Sequence, residues 1–310
     1  MALPPHDAVL VIKLGALGDF VQALGPFAAI RRHHADARVT LLTTAPYEEL
    51  AKASGFFDDI WTGGRPATAD IGGWLELRRR LRGGGFGRVY DLQTSDRSSF
   101  YYRLFWPGPA PEWSGTARGC SHPHANPDRD FMHTMDRQAE QLSMAGIAEV
   151  PVPDPSWAEA DISRFSLSGR FALLAPGGAL HRPGKRWPAG NFGQLAKTLM
   201  DQGLLPVLVG SASEAPLMAE IKAQCEEARD LSGQTGLLDL VALGRGAVAS
   251  VGNDTGPMHL FSATGCRTVV LFSHDSDPAL CGQRGAAVTI IRRQPLDAIS
   301  VAEVVDGMGL

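Results

Sequence analysis

The chain has 310 residues, 44% hydrophobic and 20% charged, with a formal net charge of −4 shared evenly between its halves. That length is a prior for about two domains, and the apolar content excludes disorder as the main state. Neither half is basic enough to advertise a nucleic-acid partner. No run approaches the ~18 apolar residues of a membrane-spanning helix. The start, MALPPHD, lacks Lys and Arg, and the apolar run behind it is short for a secretory leader, so a cytoplasmic protein is expected.

Nine apolar, β-branched runs recur along the chain, at 8–14, 37–43, 58–63, 88–93, 171–176, 205–210, 247–252, 268–273 and 288–292. Segments with helical periodicity lie between them, at 20–34, 72–82, 130–145, 188–202 and 214–228. Continuous apolar strands alternating with helices predict parallel sheets covered on both faces. The run PVPDPSW at 151–157 can continue neither a helix nor a central strand. It divides the chain into an expected first domain at 1–152 and a second at 153–310, the last helix of which is a candidate to pack back on the first. Each is read as doubly wound α/β. The segment 107–129, rich in Gly, Pro, His and Asn, shows no periodicity and reads as a long loop.

Four cysteines (Cys120, Cys225, Cys266, Cys281) without a CxxC pair read as reduced thiols. His122, His124 and His133 cluster in sequence, but without acidic or Cys partners at ligand spacing they read as solvated rather than metal-binding.

Ligands of open α/β sheets bind at the carboxyl ends of strands, so the strand-to-loop junctions carry the chemistry. In VLVIKLGALGDF, Lys13 ends a strand, Gly15 and Gly18 permit a tight loop, and Asp19 opens a helix. GALG lacks the G-x-G-x-x-G spacing of a dinucleotide site. Asp19 reads either as a helix cap or as a base able to take a proton from a hydroxyl. In LLAPGGALHRPGKRWPAGNF, a Gly- and Pro-rich loop presents Lys185 before a helix, an arrangement that favours phosphate. Lys185 and Lys13 are two of only five lysines in the chain. In LPVLVGSASEAPLMAEI, Ser213 reads as an N-cap, and Glu214 as a first-turn acid or an acceptor of ribose hydroxyls. In AVASVGNDTGPMHLFSATG, Asp254, Thr255 and Gly256 precede Pro257 at a helix start, with His259 on the first turn. A purely structural turn needs a glycine and a cap, but not this whole set.

KLGALGD, APGG…GKRWP, LVGS…E and GNDTGPMH together resemble glycosyltransferase family 9, the ADP-heptose:lipopolysaccharide heptosyltransferases, from residue 9 to about 272. The resemblance implies a GT-B fold, two Rossmann-like doubly wound domains facing a central cleft, with the acceptor on the first and the nucleotide-sugar donor on the second. It implies Asp19 as general base and Lys185, Glu214, Asp254, Thr255, Gly256 and His259 as donor-binding residues. Thr235, Gly236 and Leu237 fall where the adenine would sit. Lys13, Arg97 and His133 are acceptor-side candidates, although Arg97 reads equally as a surface helix charge.

The implied reaction is an inverting transfer of heptose from ADP-heptose to a hydroxyl of a lipid-linked core oligosaccharide. No obligatory cofactor is implied; a divalent cation is compatible with the pattern but not called for, since Asp275 and Asp277 follow a different strand in a polar turn. A lipid-linked acceptor implies peripheral contact with the cytoplasmic face of the inner membrane. Arg31 and Arg32, the basic run 78–82 and the aromatic-rich segment 100–113 are the candidates for it. Another GT-B chemistry (a nucleotide-sugar epimerase or hydrolase) and a non-catalytic sensor are the competing readings.

Overall fold

A computed structural model of the protein describes residues 7–178 and 182–310. The first six residues, on which the expectation about a leader rests, and residues 179–181 of the Lys185 loop lie outside the described residues. The chain divides into two compact units, the first ending at Asp154 and the second beginning at Pro155, inside the proline-rich run.

The first unit contains β1 (Ala8–Ile12), β2 (Arg38–Leu42), β3 (Asp59–Trp61), β4 (Arg88–Asp91), β5 (Glu112–Gly115) and β6 (His122–Pro123). Its helices are α1 (Leu17–Gln22), α2 (Leu24–His33), α3 (Glu48–Ser54), α4 (Ile71–Gly83), α5 (Asp96–Tyr101) and α6 (Thr134–Met144). The second unit contains β7 (Phe171–Ala175), β8 (Leu205–Leu208), β9 (Arg229–Asp230), β10 (Ala249–Asn253), β11 (Thr268–Phe272) and β12 (Val288–Arg292). Its helices are α7 (Ala189–Asp201), α8 (Ala215–Lys222), α9 (Leu237–Gly246), α10 (Gly256–Ala263), α11 (Pro278–Cys281) and α12 (Val301–Met308).

Both sheets are parallel and six-stranded, ordered β3-β2-β1-β4-β5-β6 and β12-β11-β10-β7-β8-β9. These are the same doubly wound order, reversing direction between β1 and β4 in one unit and between β7 and β10 in the other. A crevice forms outside the strand ends at such a reversal, because the loops on either side lead to opposite faces of the sheet. The central strands β7, β10 and β11 are buried along their whole length, as strands of a parallel sheet covered on both faces are.

Three elements depart from the sequence reading. The periodic segment 20–34 is two helices, not one. Pro26 cannot donate to the carbonyl of Gln22, so the chain restarts at Ala23, where Pro26 falls in the first turn of α2. The supposed loop 107–129 contributes two edge strands, β5 and β6, and buries Trp113, whose ring meets Tyr102 and Phe105 edge-on. Strands of four and two residues are too short to show a period. The histidines are not solvated either. His124 and His133 are both buried. His124 Nε2 lies 2.7 Å from Glu140 Oε2 while its Nδ1 accepts from Arg129 Nε at 3.4 Å, and His133 Nδ1 accepts the Met135 N–H at the start of α6. The acidic partner comes from α6, sixteen residues on.

In the second unit Trp187 and Phe192 pack edge-on within the core, and Trp187 Nε1 donates to the Ile299 carbonyl at 3.0 Å. Such a side chain contributes about 1.5–3 kcal/mol by burial, and here it also fixes the end of the Lys185 loop. The final helix, α12, is capped by Ser300 and packs on α7 and on β10, β11 and β12. Among the described residues no helix is long and apolar enough to cross a membrane.

Candidate active site

The reversal point of the second sheet carries a cavity of about 520 Å³. Its wall comes from the loops after β7 (Gly177, Gly178) and β8 (Ser211, Glu214), from Thr235 and Leu240, and from the β10–α10 junction at 254–257. That volume lies in the range of ordinary small-ligand sites. Four segments far apart in sequence thus build one wall.

Asn253, the last residue of β10, is the stitch that the sequence reading missed. Its amide donates to the carbonyls of Pro176 and Gly177 at 2.8 and 3.0 Å, and its oxygen accepts from Trp187 N at 2.9 Å. One buried side chain thereby holds both ends of the Lys185 loop against the β10 turn. Lys185, in a short turn at Pro183–Lys185, reaches Asp254 Oδ2 at 3.2 Å. Asp254 also accepts from Ser276 Oγ at 2.8 Å and from Gln283 Nε2 at 3.3 Å. The SHDSD turn, set aside in the sequence because its acids follow another strand, therefore reaches the site through its serine. Asp277 in that turn caps α11 instead. No single-sequence signal marks Ser276 or Gln283, since both act across the fold.

Glu214 bridges two loops. Its Oε1 accepts from Gly178 N at 3.2 Å, and its Oε2 from Ser211 N and Oγ at 2.7 and 2.9 Å. The cap of that turn is Ser211, not Ser213, which lies one hydroxyl further along at 2.9 Å. Thr255 is the N-cap residue of α10, and its hydroxyl donates back to the Asn253 carbonyl at 3.2 Å. Gly256 and Pro257 open the helix, and His259 is buried on its first turn. The open amide end of α10 and the Lys185 ammonium together favour an anion at this wall. Of the residues expected at the adenine, Thr235 lines the cavity, while Gly236 N donates to Asp239 at the start of α9.

At the reversal point of the first sheet, Lys13 follows β1 and is buried, its Nζ donating to the Leu92 carbonyl at 3.0 Å. Burial pushes the Lys13 pKa down; Asp19 and Asp91 pull it up and Arg137 pushes it further down. The next amide, Leu14 N, donates to Gln93 Oε1 at 2.8 Å. The β1–α1 and β4–α5 loops are thus clamped together. Gly15 has φ +116, and a Cβ there would sit 2.7 Å from the Tyr47 ring, so only glycine makes this turn. Asp19 is the third residue of α1 rather than its cap, and its Oδ2 accepts from Ala16 N at 3.2 Å.

Two further groups near Asp19 and Lys13 escaped the sequence reading. Arg137 on α6 is electrostatically coupled to both, and desolvation followed by repulsion from Arg129 lowers its pKa. Asp91, fully buried at the end of β4, has its pKa pushed up to about 6 by desolvation, against hydrogen bonds from Thr94, Ser98 and Gln93. The Nδ1 of His133 accepts at the α6 turn. Arg97 donates to the Pro66 carbonyl at 2.8 Å and lies over the Trp74 ring, on the groove between α4 and α5. Among the described residues no three His, Cys, Asp or Glu side chains are grouped to hold a metal ion.

Two units, each built on a parallel sheet with the same strand order, one bearing a cavity at its reversal point, define an α/β protein of the GT-B class. The glycosyltransferase family 9 (heptosyltransferase) model matches residues 74–301. In sequence the chain is 37% identical over 124 residues to lipopolysaccharide heptosyltransferase 2 of Escherichia coli strain K12. That match covers 37% of this chain and only 34% of the relative. The fold is similar to that of E. coli ADP-heptose lps heptosyltransferase II, with a TM-score of 0.80, 22% identity and 97% of each chain covered. It is also similar to the glycosyl transferase family 9 structure from Veillonella parvula DSM 2008, with a TM-score of 0.83, 19% identity, and 98% of this chain and 96% of that one covered. The chain belongs to glycosyltransferase family 9.

Proposed function

We propose that the chain transfers a heptose from ADP-heptose to a hydroxyl of a lipopolysaccharide inner-core acceptor, with inversion and with Asp19 as general base. The observation that carries this reading is the wall formed by Asp254, Glu214 and the start of α10 around one cavity at the second reversal point, with the Lys185 ammonium held to Asp254 beside it. It offers an ammonium and helix amides to a diphosphate, and carboxylates to sugar hydroxyls. The sequence relatives, matched over about a third of their length, point to the same donor and acceptor class.

In the reaction, Asp19 takes the proton of the acceptor hydroxyl as its oxygen attacks the anomeric carbon. The bond from that carbon to the diphosphate breaks, and ADP departs. Lys185 and the open end of α10 stabilise the charge that builds on the leaving oxygen. Positioned bases of this kind typically contribute about 10²–10⁴ in rate, and oriented donors a further 2.7–4 kcal/mol or so each. Lys185 supplies the positive charge in this scheme, so no divalent cation is assigned a step, and Lys13 and Arg137 orient the acceptor. We place the enzyme on the cytoplasmic side, where a nucleotide-sugar donor is made.

Thermal-shift titration against ADP-, UDP-, GDP- and CDP-sugars tests the donor, and product analysis with and without acceptor tests the reaction. Selective stabilisation by ADP-heptose with acceptor-dependent release of ADP is expected. A preference for a UDP-sugar, or rapid donor turnover without acceptor, would overturn it.

A further inference from the structure

We propose that the groove between α4 and α5 docks the protein onto an anionic phospholipid bilayer. Exposed large apolar side chains are few among the described residues, and four of the nine fall together here. Ile71 (74% exposed) and Leu75 (60%) lie on α4, Phe100 (44%) on α5, and Trp106 (76%) just beyond the short turn that follows α5. Ile71, Leu75, Trp74, Phe100 and Leu104 line a groove of about 600 Å³ with few polar atoms between them. Exposed apolar clusters of this kind mark interaction sites.

The chemistry of the rim selects the partner. Helix α4 gives Leu77 and Leu81 to the core, which leaves a second stripe at helical spacing on Ile71, Leu75, Arg78 and Arg82. Arg78 and Arg82 donate to the carbonyls of Trp106 and Pro107 at 2.9 and 3.0 Å, which fixes the exposed indole segment beside the cationic end of the stripe. Apart from the buried Arg88 and Asp91, residues 71–106 hold six arginines against two acids, in a chain whose net charge is −4. Aromatic and aliphatic side chains flanked by arginines match the acyl boundary and the anionic headgroups of a membrane surface. A second copy fits poorly, because a two-fold interface would press Arg78, Arg82 and Arg97 against their own copies. The groove also adjoins the acceptor-side loops, since α5 begins directly after the β4 turn in which Gln93 holds the Lys13 loop. The purpose of the surface, though not its chemistry, rests on the lipid-linked acceptor proposed above.

Vesicle co-sedimentation of the full chain, with no sugar present, tests the surface. With phosphatidylglycerol–phosphatidylethanolamine vesicles we expect binding that weakens with salt and falls off on pure phosphatidylcholine. The Ile71→Asp/Leu75→Asp double variant should lose at least about tenfold in partitioning, given the transfer free energy of two such side chains. Arg82→Gln should lose about fivefold. Both keep the wild-type melting temperature, because the altered side chains are exposed, and both keep wild-type transfer to a delipidated acceptor. Absence of binding to anionic vesicles, or binding undiminished in the double variant, would overturn the proposal. So would a wild-type dimer that the double variant converts to monomer, since the face would then hold a second copy. If no transfer occurs to any acceptor while vesicle binding behaves as described, the reaction assigned above fails and the docking surface stands.

Discussion

Lys185 Nζ lies 3.2 Å from Asp254 Oδ2, and the two side chains are only 13% and 12% exposed. A pair this sheltered differs from a surface ion pair, because removing one partner leaves the other charged and poorly solvated. Lys185→Ala should raise the donor KM by about 10- to 100-fold, the range of a charge-assisted hydrogen bond, and abolish donor-induced thermal stabilisation. Ser276→Ala, which removes one of the donors that aim Asp254, should raise it about 3- to 10-fold. Combined, the two should fall short of additivity because they act on one carboxylate. Strict additivity of the two effects on donor KM would separate Ser276 from the site.

Asp19→Asn keeps an oxygen for the Ala16 N–H but removes the base. Transfer should fall by about 10²–10⁴, while donor affinity measured by thermal shift stays at the wild-type value. Near-normal kcat in this variant would remove Asp19 from the role assigned to it.

Asp91 gives the fold a specific pH signature. Its pKa is raised from 3.8 to about 6 by burial, so between those values the folded chain holds a proton that the unfolded chain has lost. Its contribution to stability is therefore complete below about pH 4 and is lost as pH rises through about 6. Asp91→Asn retains an oxygen for the Gln93 and Thr94 amides and abolishes the titration. The unfolding free energy of this variant should gain on that of the wild type from pH 4 to 7, by an amount on the order of 2–3 kcal/mol, read by denaturant titration at each pH. A constant difference across that range would show that the carboxyl does not titrate there.

A methyl group on Gly177 would overlap the Glu214 carboxylate. The obstructed group is the end of a flexible side chain, so Gly177→Ala should fold normally and swing Glu214 aside. Donor KM should rise by about the factor seen for Glu214→Ala, roughly 5- to 20-fold for one hydrogen-bonding group, with kcat little changed. Wild-type donor KM in Gly177→Ala would show that the position of Glu214 does not matter to the donor.

The core strands were legible because burial on both faces favours near-continuous apolar runs, and β1, β7 and β11 have them. Pairing partners stabilise β5, β6 and β9, whose own residues carry no period. Asp254, Thr255 and Gly256 could be read from sequence because the turn, the cap and the helix start are contiguous. Ser276, Gln283, Asn253 and Arg137 could not, for each acts on residues more than 20 positions away or on another element.

By itself the sequence determined the class of fold, the alternation of strands and helices, and the loops in which the reactive groups stand, because these depend on local periodicity, glycine conformation and helix starts. Only the tertiary structure decided which groups meet. It paired Lys185 with Asp254, buried Lys13 and Asp91 within reach of each other, turned His133 to a helix start and gathered four apolar side chains beside the arginines of α4. Charge pairing, desolvation and exposure depend on distances through space, and the order of strands in the sheet sets those distances.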